Sequence, residues 1–385
     1  METLCEETPY ASIILREFVD DYCANCFKDT SETQIQCDDC LEVTYCSSKC
    51  QRNDWKNVHN LECQILRSQN QPLTPTMRLS IRVLLKKFGS CAKNETKSFN
   101  GACFEDLETN FEEYRASKEH NKFLNDLLAI IQISATSHLS TIFQKIEKRH
   151  MIAVICAVLA NTFSISDDLK CENIGVGLYI GLSKHNHACS SKNHVIFDGN
   201  RAFLRAPQET KYDRNLTISY CSRMLPTFER QKSISQVHFF TCQCQMCSTS
   251  PSPPEEVPIT RELLNKLEKT HEFENLRNLR EEYSKKLPDG NLAICQLDEQ
   301  IALCIGKLPM KERFEAEAVR GISFYLNRLN LGTPEVTRRL YIACLALENR
   351  SAENMEIFET ALKSSKLSHG SQHPLTLRII EMKKK

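Results

Sequence analysis

The chain lacks any excess of charge. Its 49 lysines and arginines stand against 49 aspartates and glutamates, with a pI near 7.1. It carries no basic tail and no long block of like charge. A broad phosphate-binding surface needs a basic face, so strong nucleic-acid binding is not expected. Long apolar runs are missing as well. The longest, MIAVICAVLA from Met151 to Ala160, spans ten residues. A bilayer needs about twenty, so this segment reads as a buried core helix and no membrane span is expected. The opening METLCEETPY lacks the basic and apolar regions of a signal peptide. A soluble protein of the cytoplasm and nucleus, expected as a monomer, is the consequent reading. At 385 residues the chain is long enough for two or three domains and a substantial core.

What the chain has in quantity is cysteine, twenty in all, unevenly spread. Seven fall between Cys23 and Cys63, and three between Cys242 and Cys247. In a reducing compartment such clusters read as zinc ligands rather than disulfides. The first cluster forms four pairs: Cys23 with Cys26, Cys37 with Cys40, Cys46 with Cys50, and His59 with Cys63. Eight ligands suffice for two tetrahedral zincs, at about 2.3 Å per thiolate. About forty residues with one tryptophan cannot build an ordinary core, so metal binding would supply the folding free energy. Spacing alone leaves the pairing open.

The order of these pairs resembles the MYND zinc finger. That resemblance implies interleaved ligands: Cys23, Cys26, Cys46 and Cys50 on one zinc, and Cys37, Cys40, His59 and Cys63 on the other. Residues 21–63 carry eight acidic and four basic side chains, a net charge of −4. An acidic finger points to protein contacts rather than DNA, and proline-rich peptides are what the resemblance implies. A purely structural insert is the other reading.

The second cluster, Cys242-x-Cys244-x2-Cys247, offers three thiolates and needs a fourth ligand from elsewhere. Cys189, in the stretch SKHNHACSSKNH, is the candidate. The series NIGVGLYIGLSKHNHACSSKNHVIFDG, LTISYCSRM and FFTCQCQMC resembles SET-domain lysine methyltransferases in order and content. Together with the finger it resembles the SET and MYND domain (SMYD) methyltransferase family over essentially the whole chain. The implied fold is α+β: a split SET β-core with an inserted MYND finger, a post-SET zinc loop and a helical TPR-like C-terminal region. The implied boundaries are 1–20 for an N-terminal part of the SET domain, 21–63 for the finger and 64–160 for a helical insert. The core SET region then covers 161–230, the post-SET motif 231–250, a linker 251–258 and the helical domain 259–385.

The resemblance implies roles residue by residue. Asn186, His187 and Asn161 would contact S-adenosylmethionine, and Phe240 would lie by its adenine. Cys189 would complete a third zinc site with Cys242, Cys244 and Cys247. Tyr220, ending a late strand Ile218-Ser219-Tyr220, resembles the catalytic tyrosine, and Phe163 the phenylalanine of the lysine channel. Methyl transfer requires a neutral amine, whose free pKa is about 10.4. A narrow desolvated channel favours that neutral form, and alignment does most of the rest. His185 and His194 have no family role and read as surface or packing histidines.

Three departures stand out. The family's Gly-x-Gly turn, upstream of a segment resembling Glu2–Pro9, is absent, so one wall of the cofactor pocket is expected to be missing or replaced. His238 stands where the family has a second channel tyrosine. KYDRNLTISY lacks the usual Gly-Glu-Glu turn, and Lys184-His185 replace aliphatics. The leading expectation is a protein-lysine methyltransferase acting on histone or other protein lysines. The alternative is a catalytically impaired adaptor working through its finger and helical domain.

Beyond the Pro/Ser-rich STSPSPPEEVP, apolar residues recur at helical spacing. Phe273, Leu276, Leu279, Tyr283 and Leu287 form one stripe; Phe314, Ala318, Ile322, Leu326 and Leu329 form another. About six helices of 12–25 residues are expected, stacked in antiparallel pairs without a clean 34-residue repeat. Cys295, Cys304 and Cys344 read as core. The concave face of such a stack would border the substrate or bind a chaperone tail. The terminal lysines read as a solvated tail.

Overall fold

The computed structural model describes all residues except 90–97, 135–136, 214, 250–252, 310–313, 349–350 and 385. The chain opens with β1 (Glu2–Glu7) and β2 (Ala11–Ile14). A small zinc-finger fold follows, with β3 (Ile35–Gln36), β4 (Thr44–Tyr45), α1 (Ser48–Asp54), one π turn at Trp55–His59, and α2 (Asn60–Arg67). The Ser47 hydroxyl caps α1 by accepting from Cys50 N, which fixes where the helix carrying a cysteine begins. Helices α3 (Pro75–Phe88), α4 (Phe111–Ala116), α5 (Lys118–Ser134), α6 (Ser137–Phe143) and α7 (Lys148–Asn161) make the insert. The run Met151–Ala160 lies in α7, packed against α3 in a core that the insert shares with Ile13 of β2 and with Leu178.

Strands β5 (Thr162–Asp167), β6 (Glu172–Leu178), β7 (His194–Asp198) and β8 (Arg201–Ala206) come next. One antiparallel sheet runs β1-β8-β7 and the other β2-β6-β5. Each sheet therefore takes one strand from the first fourteen residues and two from residues 162–206. Everything between β2 and β5, finger included, is an insertion into one β-core. The two sheets share a core around Ile14, Ile165, Tyr179 and Leu204. Phe27 of the finger packs against Gly175 of β6. A Cβ at Gly175 would sit 2.4 Å from its ring, so only glycine admits that close approach.

The described residues of 207–226 are irregular apart from one bridge, and lead to α8 (Thr227–His238) and α9 (Gln245–Thr249). The C-terminal region holds α10 (Val257–Leu267), α11 (Phe273–Tyr283), α12 (Leu292–Ile305), α13 (Glu315–Ala318), α14 (Ile322–Arg328), α15 (Pro334–Ala346), α16 (Ala352–Ser368) and α17 (Pro374–Lys384). Sequence neighbours pack on each other, α11 on α12 and α15 on α16, around one apolar core.

Several expectations change here. Eight helical elements of 4 to 17 residues among the described residues replace the expected six longer ones. The Phe314–Leu329 stripe is cut in two: α13 ends at Ala318, and Gly321, at φ +82°, is the N-cap from which α14 starts. Leu326 consequently faces outward. The expected strand at 218–220 is a single bridge from His187 to Ile218, because Tyr220 N donates to the His187 ring instead of to a ladder. Helix α8 runs through the boundary drawn at residue 230, α2 through the one at 63, and α10 starts inside the linker drawn at 251–258. Residues 250–252 of that linker and Lys385 of the tail lie outside the described residues. No helix among the described residues is long and apolar enough to cross a membrane.

Candidate functional site

Three sets of four donor atoms come together, each within 4.8 Å: Cys23, Cys26, Cys46 and Cys50; Cys37, Cys40, His59 and Cys63; and Cys189, Cys242, Cys244 and Cys247. A zinc held by thiolates at about 2.3 Å demands sulfur–sulfur edges of about 3.8 Å. The observed edges match. Cys26 lies 3.7 Å from Cys46, Cys46 3.6 Å from Cys50, and Cys37 3.8 Å from Cys63. In the third set Cys189 lies 4.0 Å from Cys242 and 3.6 Å from Cys247. These are zinc-binding cysteine clusters by donor chemistry and by size.

Each cluster is tied to the rest of the molecule by charge. His59 Nε2 points at Cys40 Sγ, 3.6 Å away, and its Nδ1 lies 2.8 Å from Glu62. That carboxylate is fully buried and accepts from Arg78 of α3 at 2.9 Å. Burial pushes the Glu62 carboxyl up, but Arg78, Arg82 and His59 outweigh it and hold it well below the usual range. Arg82 also pairs with Asp54 and donates to the Ser12 carbonyl of β2. A carboxylate behind a metal-bound histidine fixes its tautomer and ring orientation. Here the same carboxylate also joins the finger to α3 and the sheet. Sequence reading missed Glu62 because nothing in its spacing separates it from a surface acid. The signal was available only as its place three residues after a ligand histidine.

The third cluster is joined differently. The backbone of 186–188 runs beside 216–220, with Ile218 N donating to Asn186 O and Ala188 N to Ile218 O. The His187 ring lies between them. Its Nδ1 accepts from Tyr220 N at 2.9 Å, so its Nε2 carries the proton and faces Cys189 Sγ at 3.1 Å. The ring is thus committed to the cluster and to Tyr220, and its backbone and ring face are what remain for a ligand. Arg230, fully buried on α8, directs a guanidinium nitrogen to Cys247 Sγ at 3.6 Å. Four thiolates around a divalent ion leave a charge of −2, and a buried guanidinium offsets part of it. A fifth thiol, Cys221, joins His187 and Cys189 in a group within 4.8 Å. It was not singled out in the sequence because it belongs to no spaced pair.

One cavity of about 390 Å³ lies beside this cluster. Its lining includes Asn161, Phe163, Tyr220 and His238, together with Arg223 and Glu335 from the helical side. Helix α7 ends at Asn161, whose side-chain amide donates to Ala157 O and Glu108 O, both at 2.7 Å. Phe163 sits on β5 with its ring edge-on to Tyr179. The Tyr220 hydroxyl donates to His185 O at 2.7 Å, and burial, then the Glu108 charge, pushes its pKa up to about 12. Helix α8 ends when Phe239 adopts φ +58° and turns its ring into Tyr114, at 4.9 Å. That turn sets His238 against Tyr220, ring centroids 4.5 Å apart, and Phe240 against His187, 6.1 Å apart. Asn186 is exposed and lies outside the cavity lining, as do His187 and Phe240.

Both histidines without an assigned role are packing residues rather than surface ones. His185 is fully buried, with Nδ1 on the Leu216 carbonyl at 3.0 Å. His194 packs on Arg223, and burial followed by that charge lowers its pKa to about 3. Arg223 is buried and forks onto Glu335 at the start of α15, with Nε 2.9 Å from the carboxylate. This pair joins the segment between β8 and α8 to the helical region, and both residues line the cavity.

A family model for the MYND finger matches residues 23–63. N-lysine methyltransferase SMYD2 of Bos taurus is 23% identical over 95% of this chain and 88% of its own length. Histone-lysine N-methyltransferase SMYD3 of Mus musculus is 26% identical over 77% of this chain and 66% of its own. Histone-lysine N-methyltransferase ASHR1 of Arabidopsis thaliana is 28% identical over 66% of this chain and 51% of its own. With its interleaved finger ligands, its divided β-core and relatives that align over most of its length, the chain carries a MYND finger and is similar to the SMYD methyltransferases.

Proposed function

We propose that the protein is an S-adenosylmethionine-dependent protein-lysine N-methyltransferase. The observation that carries this reading is the single cavity in which Phe163, Tyr220 and His238 meet beside the cysteine cluster, with Asn161 at its edge. In this reading β1, β2 and β5–β8 are the split SET core, Cys242–Cys247 the post-SET loop, and the last eight helices a TPR-like domain. Three zinc ions, one per cluster, hold the finger and the post-SET loop.

The donor would supply an electrophilic methyl group to the substrate amine. This chain's residues supply the surroundings. Phe163 and Tyr220 give an aromatic, largely desolvated wall, which disfavours the ammonium form of a lysine. Tyr220 keeps its proton at neutral pH, so its hydroxyl acts as a fixed hydrogen-bonding group and not as a base. Asn161, Asn186, His187 and Phe240 would hold the donor, the last through its half-exposed ring. The alternative of a catalytically impaired adaptor is not favoured, because relatives named for methyl transfer align over 95% of the chain. Protein lysines, histone tails among them, are the substrate class. The acidic finger, with Trp55 and Leu41 exposed, suits a proline-rich peptide, and the helical domain suits a chaperone tail.

The test is calorimetric titration of the zinc-loaded protein with S-adenosylmethionine, beside Asn186→Ala. Micromolar binding that the variant loses supports the reading. A folded wild type with three zincs and no binding overturns it.

A further inference from the structure

The cavity is lined by six titratable side chains: His194, Tyr220, Cys221, Arg223, His238 and Glu335. Five are committed. Arg223 and Glu335 hold each other. His194 packs on Arg223, a cation that opposes protonation. Tyr220 donates to a backbone carbonyl. Cys221 lies against Cys189 of the zinc cluster. The ring nitrogens of His238 have no hydrogen-bond partner among the described residues, and neither is sealed away from the cavity.

We propose that His238 is the general base that takes the proton from the substrate ammonium. This deepens the methyltransferase reading and rests on it. At pH 7 about one free lysine amine in 2,500 is neutral. An imidazole in the cavity accepts a proton from the bound ammonium. The freed lone pair then forms the N–C bond as the S–C bond of the methylsulfonium donor breaks, leaving a neutral thioether. The proton leaves His238 to solvent through the cavity mouth. Burial lowers the His238 pKa from its ordinary value, so the ring is a neutral acceptor at physiological pH. Facing it are His187 and Tyr220 from the paired segments; Tyr114 and His120 pack on the adjacent Phe239. None of these is a carboxylate that would hold His238 charged.

The experiment measures single-turnover methyl transfer from labelled S-adenosylmethionine to a positional library of lysine-centred peptides, with zinc content and melting checked for each variant. For wild type the rate should level off above an inflection below pH 6.5. For His238→Gln it should be about 100-fold lower at pH 7 and rise about tenfold per pH unit. Added imidazole should restore His238→Ala, filling the space the side chain leaves. Independently of turnover, the His238 resonance should titrate at lower pH when a lysine peptide is bound, and not with its norleucine counterpart. A wild-type profile retained by His238→Gln, with no imidazole rescue, overturns the base and leaves the methyltransferase. A wild type that binds the donor yet methylates no peptide overturns both.

Discussion

In the finger, eight metal ligands lie between Cys23 and Cys63; in the third cluster, Cys189 and Cys247 are 58 residues apart. The first arrangement is local. Its metals replace a core that so short a segment cannot build. The second closes a long loop: it ties the segment of Cys189, itself bridged to Ile218, to the separate stretch Cys242–Cys247. Their surroundings differ accordingly. The finger is anchored by buried charges, with Glu62 between a ligand histidine and two arginines. The third cluster has a buried arginine and a histidine ring turned toward its sulfurs, and it borders the cavity. Removing a ligand should therefore cost the finger its own fold, and cost the third site the geometry of Tyr220.

The largest effect tests that contrast directly. Structural zinc contributes about 10–16 kcal/mol to small fingers. Cys37→Ser should raise amide exchange across residues 21–63 while donor binding survives. Cys189→Ser should lose one zinc and abolish donor binding with the finger still protected. Equal loss of donor binding in both would break the comparison. Next is Glu62→Gln, which leaves Arg78 without its buried partner and Arg82 with Asp54 alone. A loss of about 3–5 kcal/mol is expected in denaturant melts, with finger zinc affinity down about 10–100-fold in chelator competition.

On the cavity side, acid should act through His194. Its folded pKa near 3 lies below the ordinary 6.5, so the unfolded chain binds the proton first. Its contribution is complete above pH 6.5 and declines as pH falls toward 3, by about 1.4 kcal/mol per unit. His194→Asn should flatten that part of the stability curve. The smallest effect expected is for Glu335→Gln, about 2 kcal/mol. Arg223 holds the Glu335 carboxyl below its ordinary 4.5 against the upward push of burial. The pair's contribution is thus present above pH 4.5 and lost as pH falls through the lower folded value. Melting curves of variant and wild type should converge in acid. A constant offset down to pH 2 would falsify the ion-pair account.

Much of the metal chemistry was legible because ligand type and spacing are themselves the signal. Two cysteines three apart can share one metal, whatever the remainder of the chain does. The core helix at Met151–Ala160 was legible for a similar reason, since a ten-residue apolar run has few other places to go. The Phe314–Leu329 stripe was read as one helix because its periodicity continues across Gly321; the positive φ that divides it leaves no mark in hydrophobic spacing. Glu62 and Cys221 were missed because their importance depends on what lies across from them. Tyr220 could be singled out only through the resemblance, and the strand expected for it proved to be a side-chain contact with His187.

The sequence by itself determined which residues can bind zinc, where the finger begins and ends within a few residues, and that a helical region follows the last cysteine cluster. These are consequences of residue chemistry and short-range spacing. Only the tertiary structure decided which thiolates meet, that Cys189 faces Cys247, that Arg223 reaches Glu335 in the cavity lining, and that His238 alone of the cavity's titratable groups is left uncommitted. Those outcomes depend on bringing distant segments within hydrogen-bond distance in a desolvated interior. There the energies are set by three-dimensional neighbours, which the order of residues along the chain does not display.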